Sequence, residues 1–72
     1  MKKYWETMRE LREDRDLKQK DLAAVLVTTQ QVYSRYENGE NEMSIRHLIT
    51  LCRFYNVSAD YLLGMVSNNG QK

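Results

Sequence analysis

Between Thr28 and Gly39 the chain reads TTQQVYSRYENG, placing two amides, a hydroxyl and a guanidinium at Gln30, Gln31, Ser34 and Arg35. A glutamine amide offers one donor and one acceptor, spaced to match N6 and N7 of adenine. The arginine fork matches O6 and N7 of guanine in the same way. Drawn as a helix at about 100° per residue, the four side chains share one arc of about 140°, and Val32, Tyr33 and Tyr36 fill the opposite one. The chemistry on offer is hydrogen bonding to base edges in a DNA major groove. On the wheel alone a plain solvated surface helix fits equally well. Catalysis has no foothold: there is no glycine-rich phosphate loop, no metal-ligand spacing and no pairing of nucleophile with base. His47 has no cysteine or carboxylate cluster around it, so neither a metal nor a cofactor is expected. Cys52 lies on an apolar face and reads as a small buried hydrophobe.

Five short helices are needed to hold that segment. Tyr4, Met8 and Leu11 recur at i, i+4 and i+7 and predict a helix over 3–15, broken at Asp16-Leu17. Leu22, Ala23, Val25 and Leu26 predict a second over 18–26. Thr28 or Thr29 caps a third of about nine residues, which Asn38-Gly39 ends. Ser44 caps a fourth, with Ile45, Leu48, Ile49, Leu51, Cys52 and Tyr55 on one face and Asn56-Val57 at its end. Ser58 caps a fifth through Tyr61, Leu62 and Leu63 to Gly64. Residues 65–72 read as a flexible tail. Along the first helix, Arg9, Arg12, Glu13 and Asp16 are opposite charges at helical spacing, and most of that face is expected to be solvated. Tyr4 and Trp5 are expected over the edge of the core.

Seventy-two residues with no proline make one all-helical domain. Folding a chain this small hides only about 60% of its unfolded surface, which leaves no room for a deep catalytic cleft. One cysteine excludes an internal disulfide and points to a reducing, cytoplasmic setting. No apolar run approaches the roughly 18 residues of a membrane span. Net charge is only +1, so the molecule lacks the strong basic signature of many nucleic-acid-binding domains. The charge is unevenly placed. Seven of the eleven Lys and Arg fall in residues 1–20, whereas Glu37, Glu40 and Glu42 crowd the stretch after the third helix.

The stretch LKQKDLAAVLVTTQQVYSRYENG, residues 17–39, resembles the helix-turn-helix of the Cro/cI-type (XRE) family of phage repressors. The likeness runs back through MRELREDRDL and forward through Ile45 and Leu48 to FYNVSADYLLG, covering residues 8–64. It implies an all-α, compact five-helix lambda-repressor-like DNA-binding domain over 1–64. The motif would span about 18–37, with its recognition helix at about 29–37 in the major groove. By this resemblance Gln30, Gln31, Ser34 and Arg35 read bases, and Lys18, Gln19, Thr29 and Asn38 hold phosphate. Gln19 would also buttress Gln30. Arg12 and Glu37 match positions that form a buried ion pair in some relatives. TTQQ looks particularly like certain lambdoid repressors, whose paired glutamines contact successive base pairs.

Some positions depart from the family pattern. Val27 stands where glycine is usual in the turn, so a left-handed backbone there would be strained. Lys18 replaces a capping Ser or Thr but adds a positive charge. Tyr33 replaces a smaller aliphatic residue, and its hydroxyl needs a partner. Met43 replaces a proline. Glu40 and Glu42 occupy a loop that is often basic.

Two functions follow. One is a sequence-specific regulator of transcription, a repressor, that binds double-stranded DNA as a homodimer on a pseudo-palindromic operator. Its dimer contact would lie around Phe54, Tyr55, Met65 and Val66, or at Tyr4 and Trp5. The other is an antitoxin-like or adaptor module on the same fold, with a protein partner and DNA binding secondary or absent.

Overall fold

The computed structural model describes residues 2–64. The expectations for the tail and for Met65 and Val66 lie outside them. Within the described residues there are five helices: α1 Tyr4–Asp14, α2 Gln19–Leu26, α3 Gln30–Glu37, α4 Ile45–Tyr55 and α5 Ala59–Leu62. All five stand within two residues of their expected limits. Thr29, one of the two caps read for α3, is its N-cap, and Lys18, read at the cap position of α2, is an extended N-cap there.

Each start has an identifiable cause. Thr29 Oγ1 accepts the Val32 amide at 3.1 Å, Ser44 Oγ that of His47 at 3.3 Å, and Ser58 Oγ that of Tyr61 at 3.0 Å. Lys18 has no side-chain acceptor to offer α2. In its place Asp21 reaches back, and its Oδ2 accepts the Lys18 amide at 2.8 Å. This is one half of a capping box, and it places a carboxylate against the positive end of the helix dipole.

The ends share a device. Asp16, Val27, Gly39 and Asn56 follow α1 to α4 with φ of 60°, 56°, 75° and 58°. Each left-handed residue lets the next amide fold back onto the helix: Leu17 to Arg12 O, Thr28 to Ala23 O, Glu40 to Arg35 O and Val57 to Cys52 O, at 2.9–3.0 Å. Glycine, asparagine and aspartate tolerate this backbone well. Valine does not, and Val27 is the strained member of the set. At Gly39 a second constraint acts, because a Cβ there would stand 2.6 Å from the Trp5 ring. Trp5 thus covers the closing turn of α3.

Met8, Leu22, Ala23, Leu26, Tyr33, Tyr36, Leu51, Tyr55 and Leu62 form the buried core, to which every helix contributes. Each fully hidden Leu or Met stabilises by about 1.5–3 kcal/mol relative to an exposed one. The face read for α4 divides in two. Leu51 and Tyr55 are buried, Leu48 and Cys52 half-buried, and Ile45 and Ile49 exposed. Burial of Tyr55 corrects its assignment to a dimer contact: the ring fills the core, where Arg15 stacks over it at 5.1 Å. Its hydroxyl is buried and finds no hydrogen-bond partner among the described residues, and burial pushes its pKa up to about 12.

Candidate nucleic-acid interface

Helix α3 is held by its apolar side. Tyr33 and Tyr36 are buried and Val32 half-buried, while Gln30, Gln31 and Arg35 are exposed and Ser34 is half-exposed. The sequence placed these two sets on opposite arcs, and burial separates them the same way. Tyr36 is further fixed to α4, its hydroxyl 3.1 Å from His47 Nδ1 and the two rings edge to face.

The outward side lines an open groove of about 480 Å³ bounded by Gln19, Gln30, Gln31, Ser34, Arg35, Asn38 and Glu40. Six of the ten residues expected to act at the site or beneath it therefore come together on this surface. Lys18 is exposed as the N-cap of α2, and Thr29 caps α3; neither lines the groove. Arg12 and Glu37 lie underneath.

Glu37 is the polar centre of the molecule. Its side chain is 0% exposed, yet both oxygens are satisfied. Oε2 accepts from Arg12 Nε at 2.7 Å and from the Tyr33 hydroxyl at 2.5 Å. Oε1 accepts from Arg12 Nη2 at 3.2 Å and from the Gln19 amide at 3.1 Å. Arg12 Nη1 also donates to Leu17 O at 2.9 Å, tying in the loop between α1 and α2. Burial pushes the Glu37 carboxyl up, but the hydrogen bonds from Arg12, Tyr33 and Gln19 outweigh it and hold the group below the usual carboxylate value. Burial and the neighbouring carboxylate push the Tyr33 phenol well above its ordinary value, so it stays a neutral donor. The phenol that departed from the family pattern thus has its partner, as does the expected Arg12–Glu37 pair.

Two contacts differ from expectation. The Gln19 amide donates to Glu37 and not to Gln30, because the buried carboxylate is the stronger acceptor within reach. Arg9, read as part of a solvated face, donates through Nη2 to Glu37 O at 3.2 Å and to Asn38 Oδ1 at 3.4 Å. The signal for Arg9 was present in its i, i+3 spacing from Arg12, which puts both guanidinium groups on one side of α1. With its oxygen taken by Arg9, Asn38 keeps its amide hydrogens for the groove. Glu40, read as an acid in a loop that is often basic, stands on the groove's edge.

Comparison with known proteins decides the family. Residues 8–62 match the family described as helix-turn-helix. The chain belongs to that helix-turn-helix family. Among curated relatives it is 30% identical over 69 residues to the uncharacterized HTH-type transcriptional regulator YobD of Bacillus subtilis (strain 168). It is 35% identical over 65 residues to YqaE, another uncharacterized HTH-type transcriptional regulator of that strain. The matches cover 96% and 90% of this chain but 62% and 56% of the relatives, so the chain spans under two thirds of their length. A transcriptional regulator from Listeria innocua superposes with a TM-score of 0.85 at 28% identity, over 90% of this chain and 61% of that one. The P22 c2 repressor, solved with a synthetic operator, superposes with a TM-score of 0.80 at 25% identity, over 88% of this chain and 96% of its own. The five-helix fold of this helix-turn-helix protein is that of DNA-binding repressors. Among its described residues no group of His, Cys, Asp and Glu could hold a metal, and no helix is long and apolar enough to cross a membrane.

Proposed function

We propose that this protein is a sequence-specific repressor of transcription that places α3 in the major groove of a pseudo-palindromic operator. The observation that carries the reading is the groove-lining face of α3, two amides and a guanidinium exposed over a rigid, fully bonded support. Gln30 and Gln31 read adenine edges, Arg35 reads guanine, and Ser34 contributes a hydroxyl contact or clearance beside them. Lys18, Gln19, Thr29 and Asn38 hold phosphate. Gln19 does so with the amide hydrogen not committed to Glu37, and Asn38 with the pair that Arg9 leaves exposed. Residues 1–64 act as one domain, and two copies sit on half-sites about one helical turn apart.

Selection of bound sequences from a random duplex pool tests this. The wild type should enrich a palindrome, and a Gln30→Ala/Gln31→Ala double variant should lose preference at the adenine steps while keeping the rest. Unchanged preferences in the double variant would show that α3 does not read bases this way. The second reading, an antitoxin-like or adaptor module with a protein partner, is favoured by one observation: Glu40 stands in the groove itself. A folded protein that enriches no duplex, yet retains a co-expressed neighbour through purification, would establish it.

A further inference from the structure

Glu40 is poorly placed for most of what an acid usually does. It follows the C-terminus of α3, where the helix dipole opposes negative charge, and it borders a groove meant for a polyanion. Its carboxylate makes no hydrogen bond or ion pair among the described residues. Its backbone, by contrast, is firmly held. The Glu40 amide donates to Arg35 O at 2.9 Å, and the preceding residue is Gly39, held at φ 75° beneath Trp5. The side chain therefore leaves from a fixed point on the same groove wall as Arg35.

A carboxylate can only accept hydrogen bonds. In the major groove guanine presents only acceptors and thymine an acceptor and a methyl, so a carboxylate is repelled there; cytosine N4 and adenine N6 donate. Arg35 selects guanine, and the cytosine paired with it offers N4 beside the arginine's own target. We infer that Glu40 is a specificity-determining residue that accepts from cytosine N4 at or next to the base pair whose guanine Arg35 reads. The inference rests on the proposed reading of α3. Through Glu40 the protein gives up affinity for phosphate in general and gains discrimination at one step.

The test is duplex selection on the wild type and on Glu40→Ala, which removes the acceptor together with the charge, followed by titration of the preferred operator and its single-base variants at fixed salt. Because Glu40 is exposed, the variant folds, which circular dichroism verifies. The expected result is a several-fold gain in affinity for duplexes in general, with roughly tenfold loss of preference for cytosine at one position per half-site. Preferences assigned to Gln30 and Gln31 stay as they were. A uniform gain with every base preference intact would overturn the inference and reduce Glu40 to a repeller of phosphate, leaving the α3 reading standing. Absence of any enriched site for the folded wild type would overturn both.

Discussion

Val27 is 90% exposed and sits at φ 56° and ψ 51°, so its side chain gains little from packing while its backbone carries left-handed strain. A left-handed L-residue costs about 1–2 kcal/mol, and a branched Cβ sits at the upper end. Glycine removes that strain and returns part of the gain as unfolded-state entropy, about 0.5–1 kcal/mol. Val27→Gly should therefore stabilise the domain by about 1 kcal/mol, seen in a thermal melt as a rise of roughly 4–8 °C. An unchanged or lower midpoint would mean that the valine makes a contact outweighing its backbone. Tyr33 shows the opposite balance at the same scale. Its large phenol is accommodated because its hydroxyl meets Glu37 and its ring is wholly buried.

At the scale of elements, one carboxylate joins three helices. Glu37 on α3 meets Arg12 of α1 and Gln19 of α2, so the groove's support and its edge share a single anchor. Replacing it with glutamine leaves the Arg12 guanidinium, 13% exposed, with only the solvated Glu13 carboxylate at 3.9 Å as a counter-charge. Breaking one side of such a buried pair costs about 3–5 kcal/mol. That is a large share of the roughly 4–11 kcal/mol expected of the whole domain. Glu37→Gln should accordingly lower the urea midpoint sharply or leave the chain largely unfolded near 37 °C. The pH dependence follows from the sign of the shift. The native carboxyl lies below its ordinary value of 4.5, so its contribution is complete above that pH and is lost as pH falls through the native pKa. Wild-type stability should decline below about pH 4.5 more steeply than that of a Glu37→Gln variant measured under stabilising conditions. Parallel acid profiles would show that Glu37 is not the group responsible.

For the whole molecule the deciding quantity is charge. A net charge of +1 gives little long-range attraction, and Glu40 adds an acid at the edge of the groove itself. Affinity must then rest on a few well-placed phosphate contacts and on base recognition. With Lys18 neutralising one phosphate per protomer, a dimer of the proposed kind should show a slope of log K against log salt of about −2. A slope near zero in a salt titration would mean that DNA is not the principal partner, and one near −10 that many more cations take part. Of the apolar side chains on the last two helices and the turn after them, Ile45, Ile49, Phe54 and Leu63 stay exposed, whereas Tyr55 is buried.

Helix boundaries, the two faces of α3 and the anchoring of its aromatic side were all legible in the chain, because they depend on caps, turns and a 3.6-residue period that act over a few residues. Opposite arcs on a wheel became opposite burial in the fold. Even the strain at Val27 could be anticipated from the residue type expected in that turn. Contacts between residues far apart in the chain were not legible from pattern. Nothing local brings Arg9 to Asn38, turns the Gln19 amide from Gln30 toward Glu37, or sets Trp5 over Gly39. Each results from several long side chains competing for one buried acceptor or one open surface, and that competition is settled only when α1, α2 and α3 close around Glu37. The same holds for α4, whose single apolar stripe exceeds the width of the core. Its period shows which residues are apolar, and only the packing of its neighbours decides which of them are covered.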